Sequence, residues 1–193
     1  MTAKLFVISG PSGAGKTSIL QKLFQRRFIR SNFLKGISYT TRQKRPGETS
    51  GRDYYFVSKP VFLRLKKEKF FLETQKVLEH YYGTAYRTYK KALRQKKGLI
   101  ICIDVKGGKY LKKSFKKDRM VSVFIVPPRA KELYRRLAKR GETKETIGKR
   151  VRLAEKEMKY LRFYDYVVIN DKIKESVDNL EAILRAEQLR RGK

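Results

Sequence analysis

The sequence predicts an α/β fold: a parallel sheet wrapped by helices, with a small α+β insertion and a helical lid region. Three observations predict it. A glycine-rich loop, Gly10-Pro11-Ser12-Gly13-Ala14-Gly15-Lys16-Thr17, lies between a short apolar strand and an amphipathic helix. Continuous apolar runs at Leu99–Ile103, Met120–Val126 and Tyr166–Ile169 read as strands covered on both faces, as a parallel sheet requires. Basic amphipathic segments alternate with those runs.

In chain order, Lys4–Ser9 is the first buried strand. The segment Ser18–Phe24 follows the loop with Ile19, Leu20, Leu23 and Phe24 at helical spacing. Residues 32–83 differ in character. They are rich in Tyr, Thr, Gly and Arg, with strand signals at Gly36–Thr40, Phe70–Glu73 and Val77-Leu78. Pro46-Gly47 marks a turn, and Pro60 suits the first turn of a short helix over Lys59–Leu65. Helix is expected over Thr88–Lys97, ended by Gly98, and again over Lys106–Lys117. Pro127-Pro128 closes the strand Met120–Val126. Two helices, Ala130–Arg140 and Lys144–Arg162, are joined at Gly141. After the fourth core strand, Tyr166–Ile169, comes a last helix, Ile173–Leu189, with Val177, Leu180, Ile183 and Leu184 on one face. One domain over 1–193 is expected. Its core comprises 1–31, 84–128 and 163–193, the insertion is 32–83, and the lid region is 129–162.

Composition narrows the class. With 40% hydrophobic and 12% aromatic residues in 193, the chain can bury a core. No apolar run approaches the roughly 18 residues of a membrane helix, so no membrane partner is expected. The first strand begins at once, leaving no room for a signal peptide, and the single cysteine excludes an internal disulfide. A reducing cytoplasmic location is expected. Lys plus Arg number 49 against 18 Asp plus Glu, a net charge of +31. Such a surface attracts nucleotides and nucleic acids alike. Most of the excess reads as solvated helix faces, and specific nucleic-acid binding is not expected.

The loop carries the sharpest chemistry. Its pattern is G-x-x-x-x-G-K-[ST] in a strand–loop–helix context. The glycines let backbone N–H groups converge on phosphate oxygens, at the positive end of a helix dipole. Lys16 would reach the β- and γ-phosphates, and the Thr17 hydroxyl would bind Mg²⁺. A second cluster runs from Ser38 to Tyr54. Arg42 and Arg45 could grip a phosphate with forked hydrogen bonds. Tyr54 could donate its hydroxyl to the same group, while Glu48 would hold an arginine in position. The predicted C-terminal sheet edge carries the loop, Asp104 and Asn170. His80 has no second ligand at metal spacing and reads as a loop residue. Cys102 reads as a buried, inert thiol.

With these motifs in this order, the whole chain resembles the guanylate kinases of the nucleoside-monophosphate kinase group. The resemblance implies a P-loop kinase fold and a direct, in-line transfer of phosphoryl from ATP, the co-substrate, to GMP and dGMP, assisted by Mg²⁺. It implies that Gly10 to Ser18 bind ATP, that Thr17 holds Mg²⁺, and that Asp104 reaches the ion through water. It implies that Arg42, Arg45 and Tyr54 grip the GMP phosphate, with Glu48 beside them. Phe71-Leu72-Glu73 would set a carboxylate against guanine, which offers two donors where adenine offers no such pair. Tyr81-Tyr82-Gly83-Thr84 resembles the element whose hydroxyl donates to guanine O6, so Tyr82 and Thr84 join the GMP site. Ser38 would add a base contact, and Asp104 matches an acidic position near acceptor and metal. Leu133 to Gly141 resembles the start of the lid. There Arg136 and Arg140, with Arg150 on the next helix and Lys16, would neutralise the moving phosphoryl. Asn170 matches a contact to the adenine end of ATP. A monomer or weak homo-oligomer is expected.

The chain departs from the family pattern in three places. The usual Asp-x-Asp reads Cys102-Ile103-Asp104, Gln-Gly reads Lys106-Gly107, and Arg140 to Arg150 is one residue short. The alternatives are a kinase for another phosphorylated acceptor, a catalytically weak binding module of the same fold, and a nucleic-acid binder.

Overall fold

The computed structural model describes residues 4–138 and 143–190. Its centre is β1 (Leu5–Ser9), every residue of which is buried. α1 (Lys16–Leu23), α2 (Arg27–Asn32) and β2 (Phe33–Lys35) follow. A second unit holds β3 (Ser38–Thr40), β4 (Tyr55–Phe56), α3 (Lys59–Lys67), β5 (Phe71–Val77) and β6 (His80–Ala85). The chain returns through α4 (Tyr86–Arg94), β7 (Gly98–Cys102), α5 (Val105–Ser114) and β8 (Met120–Val126). It finishes with α6 (Ala130–Ala138), α7 (Lys144–Met158), a 3-10 turn at Leu161–Phe163, β9 (Tyr166–Ile169) and α8 (Ile173–Leu189).

The main sheet has the order β2-β7-β1-β8-β9 and is parallel throughout. One face packs on α1 and α8 through Ile19, Leu23, Val177, Leu180 and Leu184. The other packs on α4 and α5 through Tyr89, Ala92 and Leu111. Because the strands are parallel, the loops after β1, β7 and β8 leave from one edge. The second sheet, β4-β3-β6-β5, is mixed and has its own core around Phe62, Tyr39 and Ala85.

Several elements differ from the sequence expectation, each for a physical reason. Phe33–Lys35 is a fifth core strand: Phe33 packs edge-on against Phe6 at 5.4 Å. Three residues are too short to show a period. The fourth expected core strand, β9, is an edge. Val168 is buried while Val167 and Ile169 are 45% and 60% exposed. The helix expected over Thr88–Lys97 spans Tyr86–Arg94 instead. Lys96 takes the left-handed turn at φ 52°, and Gly98 opens β7. A Cβ at Gly98 would lie 2.6 Å from the Phe33 ring, so this glycine serves close packing rather than helix ending. Asp104 caps α5, which moves that helix from the expected Lys106–Lys117 to Val105–Ser114. α7 stops at Met158, short of Arg162. His80 lies in β6, paired with Val77 across a tight turn, and not in a loop. The expected helix junction at Gly141 lies outside the described residues.

Phe6 is fully buried between the sheet's edge strand and the α1/α8 layer. Phe6→Ala should lower unfolding free energy by about 3–5 kcal/mol, read from urea midpoints. A loss under about 1 kcal/mol would contradict this packing.

Candidate active site

The loop Gly10–Thr17 leaves β1 and runs into α1, whose first turn carries no side-chain cap and no acidic residue. Its N–H groups are therefore left for an anion. Gly10 and Gly15 have φ of 142° and 91°. A Cβ would lie 2.1 Å from the Ile125 carbonyl oxygen at Gly10, and 2.1 Å from Asn170 Nδ2 at Gly15. Only glycine fits either position. Pro11, Gly13 and Ala14 are buried in the loop wall, while Thr17 and Ser18 stand exposed at the helix start. Lys16 Nζ folds back onto the carbonyls of Gly10 and Pro11 at 2.5 and 2.9 Å.

The loop is held from behind and from the side. Asn170, 4% exposed at the end of β9, donates Nδ2 to the Ala14 carbonyl at 2.7 Å and accepts from the Ser176 hydroxyl at 3.1 Å. Both ends of the amide are engaged. The Asn170 side chain thereby braces the loop. Arg136 Nη2 donates to the Asn170 carbonyl at 3.0 Å, and its Nε to Glu132 at 2.9 Å. Arg150 on α7 donates to the Ser12 hydroxyl at 2.9 Å. Arg140 lies outside the described residues. A hollow of about 760 Å³ adjoins this side, lined by Pro128, Arg129, Glu132, Arg135 and Asp171.

Across from the loop, the second sheet builds a polar cluster. Ser38 pairs with Thr84, and Thr84 with Glu73, across three neighbouring strands. The register shifts between Phe71 and Glu73, so β5 carries one extra residue there. Phe71 packs in the second core, Leu72 against the main core, and Glu73 turns into the cluster. Glu73 is 4% exposed, and its Oε1 accepts from the Thr84 N–H at 3.1 Å and hydroxyl at 2.9 Å. Ser38 Oγ lies 3.2 Å from Thr84 Oγ1. Burial pushes the Glu73 carboxyl up to about 7, with the Asp104 charge adding to it against the Thr84 hydrogen bonds.

Asp104 caps α5 through the Gly107 N–H at 2.8 Å, and burial raises its carboxyl too. Glu73 Oε2 and Asp104 Oδ1 converge on Gly107, where a Cβ would lie 3.2 and 3.0 Å from them. Arg42 makes a fork with Glu48 at 2.7 and 2.9 Å and lies 5.5 Å over the Tyr54 ring. Glu48 also accepts from the Arg45 N–H at 2.9 Å, so one carboxylate sets both arginine positions. Tyr54 contacts the Tyr82 ring edge at 6.0 Å, and burial raises its hydroxyl well above the usual phenol range. Thr17, Ser38 and Tyr54 share one narrow cleft with Lys35, Asp53 and Cys102. Cys102 is thus half-buried in the cleft wall and not sealed in the core, although burial still raises its thiol.

Two residues in this region carry no motif in the sequence. Lys35 reaches the cleft from the unrecognised strand β2, and burial lowers its ammonium. Glu157 on α7 is 7% exposed and accepts the Ser12 N–H, within the fields of Lys16, Asp104 and Arg150. Its Oε2 is buried without a hydrogen-bond partner among the described residues. The available signal was an acidic residue on the buried stripe of α7, alongside Ile147 and Ala154.

Burial pushes Glu157 up to about 7, against a model-peptide value of 4.5. The folded state then binds its proton more tightly than the unfolded state, so stability is lost as pH rises from about 4.5 to 7. Glu157→Gln keeps an acceptor for Ser12 without that loss. It should be more stable than the parent at pH 8, on the order of 1–3 kcal/mol, and equal to it at pH 4.5. Thermal melts at both pH values check this, and an equal offset at both would contradict it.

Comparison with known proteins agrees with this geometry. The family model described as guanylate kinase matches residues 2–187. A guanylate kinase of Caldanaerobacter subterraneus subsp. tengcongensis is 42% identical over 187 residues, 96% of this chain and 88% of its own. One of Dechloromonas aromatica is 37% identical over 193 residues, 100% of this chain and 93% of its own. The crystal structure of guanylate kinase from Anaplasma phagocytophilum superposes with a TM-score of 0.81 at 31% identity, covering 98% of this chain and 88% of that one. On sequence and on fold alike, this chain belongs to the guanylate kinase family.

Proposed function

We propose that this member of the family moves the γ-phosphoryl of ATP onto the phosphate of GMP, and of dGMP, with no covalent enzyme intermediate. The observation that carries the acceptor reading is the buried carboxylate of Glu73, braced by Thr84 and converging with Asp104 on Gly107. A carboxylate accepts both N1–H and the 2-amino group of guanine, and AMP would leave it buried and unpaired. In this reading Thr84 and Ser38 complete the base contacts, and Tyr82 walls the pocket. Arg42, Arg45 and Tyr54 take the GMP phosphate, with Glu48 pre-setting the Arg42 fork.

On the donor side, the loop N–H groups and Lys16 take the phosphates. Lys16 exchanges its bonds to the Gly10 and Pro11 carbonyls for phosphate oxygens. Arg136 and Arg150 supply positive charge at the loop's flank, and Arg140 is assigned to the same task from its sequence position. Catalysis is then placement of two anions in line, plus fixed positive charge against the transferring group.

The donor set also suits Mg²⁺ carried in on the nucleotide. Among the described residues no group of three or more His, Cys, Asp or Glu could cage a metal ion. The exposed Thr17 hydroxyl, with Asp104 through water, fits an ion held mainly by phosphate and water. When bound, it would neutralise charge on the β- and γ-phosphates.

The cleft between Thr17, Ser38 and Tyr54 holds about 30 Å³. In this reading the second sheet swings from the loop to admit GMP. Its return excludes water and protects ATP from hydrolysis.

A coupled ADP-release assay with GMP, dGMP and AMP side by side tests the reading. Turnover is expected with the first two and not with AMP; a folded protein with no GMP-dependent turnover would overturn it. Glu73→Gln should cut kcat/KM for GMP by about 10- to 100-fold, from the loss of a charged acceptor. The pH profile is a separate check. With its carboxyl pushed up to about 7, Glu73 holds its proton at pH 6 and is ionised at pH 8. KM for GMP should therefore fall by about tenfold from pH 6 to 8 in the parent, and the Glu73→Gln profile should be flatter.

A further inference from the structure

The phosphate-loop edge of the main sheet uses only part of the positive charge, and the opposite edge gathers more of it. Strands β2, β7, β1 and β8 are parallel neighbours, so the segments entering them meet at the N-terminal edge. β2 is entered from α2, with Arg27 and Arg30 exposed. β7 is entered from the end of α4, with Arg94 and Lys96 exposed. β8 is entered from the segment after α5, with Lys116, Lys117 and Arg119 exposed. Backbone bonds tie these entries together: Leu5 N–H donates to the Arg119 carbonyl at 2.9 Å and Leu99 N–H to the Lys4 carbonyl at 3.0 Å. Lys97 Nζ reaches the Arg30 carbonyl at 3.3 Å, and the Tyr89 ring meets Phe115 at 5.3 Å.

Neutralising carboxylates are scarce here. From Tyr86 to Arg119 the acidic residues are Asp104, spent at the other edge as a helix cap, and Asp118, exposed among Lys116, Lys117 and Arg119. Around α8, whose C-terminal end reaches the starts of β1 and β9, charges are paired instead. Glu181 takes Arg26 and Arg185, and Glu187 takes Lys4 and Arg190. Charge on the rim is therefore concentrated by topology, with seven exposed cations at Arg27, Arg30, Arg94, Lys96, Lys116, Lys117 and Arg119 against the one carboxylate of Asp118 among them, at a place that steering of nucleotides to the loop does not require.

We propose that this rim is a docking surface for a nucleic-acid strand, bound through its phosphates without reading base sequence. Four neighbouring strands span about 15 Å, enough for several consecutive phosphates of a single strand. A lipid surface fits less well. Its usual signature adds clustered apolar side chains to the basic ones. At this edge the exposed large apolar residues are single, Leu93 on one face and Leu189 on the other.

The test uses the full chain and a labelled 20-nucleotide poly(U) RNA, followed by fluorescence anisotropy at several salt concentrations. The parent should bind with log K falling against log salt at a slope of about −3, as for four neutralised phosphates. The variant Arg94→Gln/Lys96→Gln/Lys116→Gln/Lys117→Gln should bind at least tenfold more weakly at low salt and show a shallower slope, with GMP turnover unchanged. Removing the same charge from α3 and the turn after it, by Lys59→Gln/Lys66→Gln/Lys67→Gln/Lys69→Gln, should cost less than threefold. Saturating ATP and GMP should leave the RNA bound. Equal losses in the two variants, displacement by nucleotides, or binding to phosphatidylserine vesicles without binding to RNA would each overturn the proposal.

Discussion

The structure depends on keeping a stretch of backbone still and bare. The loop from Gly10 to Lys16 must aim N–H groups at a polyanion, so it can carry almost no side chain on its inner and rear surfaces. Contacts of 2.1 Å from would-be Cβ atoms at Gly10 and Gly15 measure how tightly it is enclosed. Bare backbone is entropically costly to order. The fold offsets that cost by bracing the loop from three distant segments. Asn170 holds Ala14 from behind, Arg136 holds Asn170, and Arg150 with Glu157 grips Ser12 from the lid side. Each brace is a hydrogen bond from a residue more than a hundred positions away from the loop. The loop is thus shaped by its glycines and held by segments that only the completed fold brings to it.

The same logic governs the opposite wall. A carboxylate that must meet neutral base donors works best when dry, and a dry carboxylate is unstable as an anion. Glu73 sits in that balance. Burial and the nearby Asp104 raise its proton affinity, while the two hydrogen bonds from Thr84 lower it. The extra residue at the β5 bulge makes the placement possible, because it lets Phe71 and Leu72 serve two cores while Glu73 faces neither. Arg42 is handled differently. Its Nη2 donates to both oxygens of Glu48, which keeps the guanidinium oriented although its side chain is only 10% exposed.

Two of the three positions singled out in the sequence, Cys102 and Lys106, lie on either side of Asp104. Cys102 stands in the cleft wall beside Lys35, in the fields of Lys16 and Lys35. Lys106 is exposed on the first turn of α5, where its backbone N–H helps hold Asp104. The remaining carboxylate, Asp104, keeps its helix-capping bond to Gly107.

Much of this was legible in the sequence. The glycine spacing with Lys16-Thr17 and the apolar runs of β7 and β8 report themselves locally, because backbone torsion and burial on both faces constrain neighbouring residue types directly. The pairing of Glu48 with an arginine was readable for the same reason, since the partners lie within one turn-rich segment. Other features were not legible. Strand β2 is three residues long and is a strand because β7 lies beside it. Gly98 looked like a helix end and proved to make room for Phe33. Asn170 braces the loop, and Glu157 meets Ser12 across 145 positions; no local pattern encodes such a contact. What the sequence determined by itself was the chemistry on offer: a phosphate loop, a set of arginines and an alternating α/β scaffold. Only the tertiary structure decided which groups meet, which charge is buried and which edge collects the surplus lysines, because those depend on contacts between segments whose order along the chain says nothing of their distance in space.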